Sequence, residues 1–555
     1  MVQMQLPWYS ASCQKNKKGL YMKDLRILSN LIEDKKNSHP NLDVLTFVNV
    51  LPSGDFEHEI RTYKMLWEQG QRVFAGLKNE GMAPGDSFAM VMQNHPEFVD
   101  CMVGSALAAT VFVPIDPRTN GERLEYMLSW ADCKGVICAD YCLNNVLAAC
   151  KNLPQIRWVW VVQSGELIKL AAEDTRLKKW AEIANAPFTE AEGRVHSADE
   201  TMQMLYTSGT TGDPKAIRAP YTRYDAVSSI GPMIGLTEND RPYTGLSFTH
   251  ANAQLISLGN ILKMGLRGVI SRKFTKSRLW DICRAYDCTT FNLLGGMTTA
   301  IYSEPVRAND AKNPVRFILS AGMPAAIWTD FSKRFDVELF EFYGAAEGGM
   351  MFNPPGVGPI GSIGKPPASL TARIIDEQGK TCPAGVRGEI VFEAVTGEPL
   401  RVEYYKNPEA SDKKTHGGVL YMGDIGHQDE EGWYYFDSRK GDEIRRNGEF
   451  VDVAKIEKII AEFDDVEDVF VYGIPSLNGA PGEKDVIAAV VPVEAKLFDP
   501  GVLVKHCREV LGRNDLPSYI QVMSEIPKTA SEKPQARFCY EYFLEQKNHV
   551  YDVAS

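Results

Sequence analysis

Long hydrophobic runs are missing from this 555-residue sequence, which contains no apolar stretch of the ~20 residues that cross a bilayer. Clustered positive charge is also missing, since the formal charge is −12 and the basic tract at 15–18 is short. The eleven cysteines contain no CxxC pair, and the uneven spacing of Cys133, Cys138, Cys142 and Cys150 is typical of neither zinc sites nor disulfide frameworks. We therefore expect no transmembrane segment, no nucleic-acid partner and reduced thiols.

The N-terminus also lacks a basic region followed by an apolar one, so we expect no signal peptide and a cytoplasmic location. Hydrophobic residues make up 44% and charged residues 24%, the values of a soluble globular protein. The length is sufficient for several domains.

Helical and strand patterns alternate between about residues 60 and 345. The stretch 62–81 has apolar residues at helical spacing, and short runs rich in Val, Ile and Phe occur at 86–94, 134–140, 157–163 and 315–322. Such runs are typical of strands that are buried on both faces. The alternation predicts an α/β fold with layered subdomains built on parallel strands.

The pattern changes after residue 354, where period-two segments predict a small β-rich lobe that ends near residue 440. Gly356, Gly358 and Gly361 form a GxGxxG pattern, but the surrounding prolines predict a loop rather than a dinucleotide site. Helical and strand patterns then return, so we expect an N-terminal domain over 1–440 and a mobile α+β C-terminal domain over 441–555.

A polar, glycine-rich loop follows a hydrophobic run in "MLYTSGTTGDPKAI", residues 204–217. Glycines let successive backbone N–H groups point at one anion, and hydroxyls and a lysine add further donors. This combination suits a polyphosphate, although a surface loop stays open as an alternative, and the Walker pattern is not met. The candidate phosphate-binding residues are Thr207, Ser208, Gly209, Thr210, Thr211, Gly212 and Lys215.

The string "YTSGTTGDPK" closely resembles the signature loop of the AMP-forming adenylating superfamily, which contains acyl-CoA synthetases, adenylation domains of peptide synthetases, and luciferases. The family's further motifs follow in the same order. They are "SAGMP" (320–324), "FYGAAE" (342–347), "YMGDIG" (421–426), "DSRKGDEIRRNGE" (437–449) and "PKTASEKPQ" (527–535).

The resemblance implies a nucleotide site for ATP and Mg²⁺. Gly322, Met323 and Pro324 would pack on adenine together with Tyr343 and Gly344, and Asp424 and Arg439 would hold the ribose. Thr207 and Glu347 would hold Mg²⁺, and Lys533 would bridge the reacting carboxylate and the α-phosphate. Ala346 replaces a threonine that usually contacts the α-phosphate, so another group must supply that donor.

The resemblance also implies a thiol step in which the C-terminal domain swings about a hinge at Gly441. Arg445, Gly448 and Glu449 would flank the channel for the thiol. The strings around Arg439 and Tyr343 are most similar to fatty-acid-transport-type and carnitine/crotonobetaine-type ligases, which indicates coenzyme A as the thiol.

By the same analogy, the catalytic residues are Lys533, Glu347 and His250, and an apolar pocket holds the acyl group. No acidic residue of the pocket segments would pair an α-amino group, so we expect an aliphatic, fatty-type carboxylic acid. The pocket residues are His250, Gly295, Gly296, Met297, Gly348 and Gly349.

Several alternatives stay open at this point. They are a carnitine/crotonobetaine-type CoA ligase, a stand-alone adenylation enzyme that loads a carrier protein, and a nucleotide-sensing protein without chemistry, which the Ala346 and Glu532 departures favour. A homodimer is also open.

Overall fold

The computed structural model describes residues 23–164, 174–207, 213–441, 444–446, 449–451, 453–476, 483–528 and 534–553. Within these ranges, no helix is long and apolar enough to span a bilayer.

The first α/β layer is a seven-stranded sheet with strand order β7-β6-β5-β3-β4-β8-β9, parallel except for β9. Its short apolar strands confirm the predictions at 86–94, 134–140 and 157–163. The helices and strands of this first part of the chain are α1 (Leu28–Ser38), β1 (Asp43–Val50), β2 (Phe56–Thr62), α2 (Tyr63–Asn79), β3 (Ser87–Val91), α3 (Pro96–Ala108), β4 (Val111–Ile115), α4 (Gly121–Trp130), β5 (Cys133–Ala139), α5 (Leu143–Ala149), β6 (Trp158–Val162), β7 (Leu177–Lys179), α6 (Trp180–Ala184), β8 (Thr201–Thr207), β9 (Lys215–Pro220) and α7 (Tyr221–Val227).

The second layer is an eight-stranded sheet with order β15-β14-β13-β12-β10-β11-β1-β2, parallel except for its two edge strands. The largest apolar core contains residues from both sheets and from the helices α2 and α3. A π-helix, Asn252–Leu258, precedes α8. The further elements are β10 (Pro242–Thr244), α8 (Gly259–Met264), β11 (Gly268–Ser271), α9 (Leu279–Ala285), β12 (Thr290–Leu294), α10 (Gly295–Tyr302), β13 (Phe317–Ala321), α11 (Ala325–Phe335), β14 (Glu338–Ala345) and β15 (Gly348–Asn353).

A five-stranded antiparallel sheet forms the predicted β-rich lobe. Burial alternates along β19, as the period-two pattern predicts. The GxGxxG segment forms turns, and Gly356 and Gly361 have φ of +66° and +86°, so no helix begins there. The elements are β16 (Leu370–Ile375), β17 (Gly388–Ala394), α12 (Pro408–Lys414), β18 (Thr415–His416), β19 (Val419–Gln428) and β20 (Tyr434–Arg439).

The last part of the chain has a four-stranded sheet of order β23-β24-β25-β26, with separate apolar clusters that involve α13 and α14 on one side and α15 on the other. This arrangement confirms the α+β prediction, whereas the boundary at Gly441 stays a prediction. The elements are β21 (Arg445–Arg446), β22 (Glu449–Phe450), α13 (Val453–Ala461), β23 (Val466–Pro475), β24 (Lys484–Pro492), α14 (Pro500–Val510), β25 (Tyr519–Val522), α15 (Ala536–Glu545) and β26 (Val550–Asp552).

Polar contacts join this last part to the larger one. Lys458 Nζ of α13 donates to the Ala326 carbonyl oxygen of α11 at 3.3 Å, and Lys276 pairs with Glu467 at 3.2 Å. Helix α11 begins directly after the predicted adenine turn, so the small α+β part contacts the helix that follows this turn.

Candidate nucleotide and acyl site

Three predicted segments meet at one edge of the eight-stranded sheet. The neighbouring parallel strands β12, β13 and β14 end at Leu294, Ala321 and Ala345, directly before or within the predicted pocket, adenine and metal motifs. The carboxyl ends of parallel strands are where α/β sheets bind ligands, because the strand order and loops leave a crevice there. Sheet topology therefore brings together residues that are about 50 positions apart in sequence.

The turn after β13 is held tightly from two sides. Gly322 has φ of +96°, and a Cβ atom on Gly295 would lie 2.8 Å from the Gly322 carbonyl oxygen. Both positions therefore require glycine. The buried Glu341 carboxyl accepts hydrogen bonds from the Gly322 N–H at 2.6 Å and from the Met323 N–H at 3.2 Å. Sequence reasoning missed Glu341, although a carboxyl within the apolar run "LFEF" was a detectable signal.

Glu341 predicts a pH dependence of stability. Burial raises the pKa of Glu341 to about 8 from its ordinary value of 4.5, although the Gly322 and Met323 N–H groups oppose this. The folded protein then keeps a proton that the unfolded chain loses above about pH 4.5, so this group's contribution to stability falls as pH rises from about 4.5 to 8. Glu341→Gln should flatten this part of the profile of unfolding midpoint against pH, and the exposed Glu338→Gln of the same strand should leave it unchanged. Parallel profiles for wild type and Glu341→Gln would contradict the assignment.

The predicted adenine and ribose residues are directly connected. Tyr343 Oη donates to Asp424 Oδ2 at 2.5 Å, and Arg439 Nε lies 3.6 Å from Asp424 Oδ1, since β19 and β20 pair these two residues. Burial and the Asp424 carboxylate raise the pKa of Tyr343 well above its ordinary value, so the phenol keeps its proton and donates. The Tyr343 ring also stacks on Phe392 of the β-rich lobe, with an interplanar angle of 17°. The site therefore spans the eight-stranded sheet and the lobe.

The turn between β14 and β15 consists of Ala346 and Glu347. Glu347 Oε1 accepts a hydrogen bond from Tyr404 Oη at 2.8 Å, and Lys215 Nζ lies 5.5 Å from the centre of the Tyr404 ring. Tyr404 stands next to β9 because its backbone bridges to Ile217. Sequence reasoning missed Tyr404, and no local signal marks it, since its position depends on pairing between distant segments.

The predicted phosphate loop connects the antiparallel strands β8 and β9, where Thr207 pairs with Lys215. Thr207 Oγ1 donates to the Lys215 carbonyl oxygen at 3.5 Å. Through Lys215 and Tyr404, the base of this hairpin therefore lies beside Glu347. The other loop residues, Ser208, Gly209, Thr210, Thr211 and Gly212, lie outside the described residues, as do Gly448 and Lys533. For Arg445 and Glu449 only the backbone is described, in the paired strands β21 and β22.

The site can accommodate a phosphate-bound Mg²⁺. The described residues contain no cluster of three His, Cys, Asp or Glu side chains. Mg²⁺ that is carried with a nucleotide needs only one or two protein oxygens beside the phosphates, and hard oxygen ligands are what Glu347 and Thr207 offer. The partly exposed Glu347 carboxylate, fixed by Tyr404, suits this role.

The predicted acyl-pocket residues occupy three places. Met297 is buried at the start of α10, after Gly295 and Gly296. His250 is half-buried, and its Nδ1 accepts a hydrogen bond from the Asn252 N–H at 3.2 Å at the start of the π-helix. Gly348 and Gly349 have positive φ, and Cβ atoms there would approach Leu420 and Met422 at 3.1 and 2.8 Å, so these glycines lie against the β-rich lobe.

The fold is that of an α/β protein with a large N-terminal and a smaller C-terminal part, and predicted nucleotide residues meet at one place in it. Comparison with known families then identifies it further: residues 32–396 match the family described as AMP-binding enzyme, and residues 455–533 match AMP-binding enzyme C-terminal domain. The chain belongs to the AMP-binding enzyme family, which confirms the resemblance that the motifs indicate.

Relatives and solved structures agree with this assignment. Long-chain fatty acid transport protein 1 of Rattus norvegicus is 29% identical over 487 residues, which are 82% of this chain and 74% of the relative. Crotonobetaine/carnitine–CoA ligase of Salmonella typhimurium is 27% identical over 488 residues, or 85% and 91% of the two chains. The crystal structure of the anthranilate CoA ligase AuaEII with anthranoyl-AMP matches with a TM-score of 0.79 and 21% identity, covering 94% of this chain and 97% of that one.

Proposed function

We propose that this protein is an ATP-dependent, AMP-forming carboxylic acid–CoA ligase that acts on an aliphatic acid. The carboxylate attacks the α-phosphorus of ATP, which forms an acyl-adenylate and releases pyrophosphate. The thiolate sulfur of coenzyme A then attacks the acyl carbon and expels AMP. The observation that carries the proposal is the convergence of Tyr343 and Glu347, at the end of β14, with Asp424 of the β-rich lobe in a chain of this family.

Each group has a chemical task in the first step. Asp424 accepts the ribose hydroxyls, Tyr343 covers the adenine beside the turn held by Glu341, and the loop that ends at Lys215 surrounds the phosphates. Mg²⁺ held by Glu347 and Thr207 would neutralise charge on the phosphate oxygens. Lys533 stabilises the negative charge that grows as the carboxylate attacks, a contribution commonly worth ~10²–10³ in rate.

An uncharged aliphatic tail suits the surroundings of the pocket better than a quaternary ammonium, which prefers aromatic faces. Phe248 is fully buried and packs against Phe47 and Phe98, and Tyr302 stacks on Phe331 beside Arg334. These two rings are thus occupied by core contacts. Neither ring therefore offers a free aromatic face to a quaternary ammonium, which supports the fatty-type acid rather than the carnitine-type one.

The domain division forms part of the proposal. Residues 1–440 would adenylate the acid, and residues 441–555 would rotate about Gly441 to present Lys533 first and the thiol channel of Arg445, Gly448 and Glu449 second. The proposed location is the cytoplasm, and both a monomer and a homodimer are compatible with this domain rotation.

The direct test is a pyrophosphate-release screen over straight-chain acids of increasing length, with crotonobetaine and carnitine as comparators, each with and without CoA. We expect release with aliphatic acids and an acyl-CoA product by mass spectrometry. If a holo carrier protein is acylated but CoA is not, the thiol partner is the carrier protein rather than CoA. Failure of every acid to form an adenylate would refute the proposal.

Gly441 predicts a hinge effect. Its φ is +95°, and a Cβ atom there would meet no neighbour within 4 Å, so Gly441→Ala changes backbone preference without a clash. The left-handed conformation costs other residues about 1–2 kcal/mol. We expect the ratio of the two half-reaction rates to shift about 5- to 30-fold. Gly397→Ala, at an equally open glycine with φ of +77° in a lobe loop, should leave the ratio unchanged. If Gly441→Ala and Gly397→Ala had the same ratio of half-reaction rates, Gly441 would not be the hinge.

A further inference from the structure

Two half-buried cations flank the Ala346–Glu347 turn. Arg223, in the first turn of α7, donates from Nη2 to the Ala346 carbonyl oxygen. Lys414, the last residue of α12, donates from Nζ to the Met422 carbonyl oxygen at 2.9 Å. Within the described part of the chain, each therefore has a neutral carbonyl as its hydrogen-bond acceptor.

The charge balance around these cations is positive. Glu347 is the carboxylate that acts on both Arg223 and Lys414. Two further carboxylates act on Lys414, but each already faces another cation: Asp424 faces Arg439, and Glu389 pairs with Lys440 at 2.7 Å. Burial lowers the pKa of Arg223 and of Lys414, a sign that each charge has lost water without gaining a full counter-charge. A second anion beside Glu347 would neutralise the remaining positive charge of Arg223 and Lys414.

Phosphate is the anion that fits this position. A guanidinium has five N–H donors and an ammonium three, so one carbonyl bond leaves donors available to each cation. Arg223 contacts the backbone of Ala346, the residue whose missing hydroxyl leaves the α-phosphate one donor short. Arginine and lysine are also the side chains that bind phosphate oxygens most strongly.

We propose that Arg223 and Lys414 form a cation pair that binds the α-phosphate of the nucleotide and replaces the hydroxyl donor that Ala346 lacks. The proposal rests on the proposed function, because it assumes that the nucleotide occupies this edge of the sheet. In a purely structural alternative, the two cations only neutralise Glu347 and fix the turn.

A comparison of AMP with adenosine separates these two roles, because the ligands differ only in the α-phosphate. Calorimetric affinities of the full-length wild type, Arg223→Gln and Lys414→Gln would be measured for both ligands. We expect each variant to lose about 10- to 100-fold in AMP affinity, as for a charge-assisted hydrogen bond, while adenosine affinity stays within twofold.

Matched controls exist on the same element or on the one directly before it. Arg218, on β9, pairs with Glu403 at 2.8 Å, and Lys413, next to Lys414, pairs with Glu409 at 2.8 Å. Arg218→Gln and Lys413→Gln should bind AMP and adenosine as wild type does. If Arg223→Gln does not fold, Arg223→Lys and Lys414→Gln provide the same comparison.

Ala346→Thr supplies a rescue. Restoring the hydroxyl should recover AMP affinity in Arg223→Gln by a larger factor than it improves wild type. The proposal would be overturned if Arg223→Gln and Lys414→Gln lost AMP and adenosine affinity equally, or if both kept the wild-type ratio of AMP to adenosine affinity. Because binding needs no turnover, a wild type that shows the AMP preference but forms no adenylate with any acid would refute the proposed reaction and leave standing the nucleotide binding on which this inference depends.

Discussion

Lys533→Ala is expected to reduce adenylate formation by ~10²–10³, because a preorganised cation at the attacking carboxylate stabilises charge that develops only in the transition state. The same variant should still convert synthetic acyl-adenylate and CoA to the thioester, since that step would use the other face of the C-terminal domain. Single-turnover measurements of the two half-reactions test this separation.

The exposed Lys496 of the same domain offers a control, and Lys496→Ala should leave both half-reactions at the wild-type rate. Equal loss of both steps in Lys533→Ala would contradict the two-conformation scheme. Retention of full adenylation would remove Lys533 from the catalytic residues.

Asp424→Asn should reduce kcat/KM for ATP by about 10²-fold, mainly through a higher KM, because the amide carries no charge and replaces one of the two acceptor oxygens by a donor. The loss follows from geometry: Asp424 is buried and faces both Tyr343 and Arg439. Steady-state kinetics with ATP at saturating acid and CoA measure it.

Deoxynucleotides sharpen this test. Wild type should prefer ATP to 2′-deoxy-ATP and to 3′-deoxy-ATP. In Asp424→Asn at least one of these two preferences should largely disappear, because the carboxylate that would accept the missing hydroxyl is already gone. Asp437→Asn, at a carboxylate on β20 that faces His427 and Arg387, should keep both. An unchanged preference in Asp424→Asn would exclude contact with the ribose.

Much of the fold was predictable because its signals are local. Apolar runs and helical spacing predicted β3, β13 and α2 to within three residues at each end, since strands buried on both faces and amphipathic helices have distinct periods. The prolines around Gly358 likewise predicted a loop rather than a helix. The nucleotide motifs were recognisable because each occupies a short continuous string.

Contacts between distant segments were not predictable from local patterns. Arg223 and Ala346 are 123 positions apart, and Tyr404 and Glu347 are 57 apart. Hydrophobic periodicity assigns a residue to a face, but it does not specify which residue of another segment lies opposite.

The sequence alone thus determined the α/β class, the order of the motifs and the chemistry that each motif can offer, because these depend on neighbouring residues. The tertiary structure alone decided which groups surround Glu347: the Tyr404 hydroxyl, reached through the bridge to Ile217, and two cations from α7 and α12. The net charge of a site depends on which charged groups lie near one another in space. Groups from distant parts of the sequence come together only when the chain has folded.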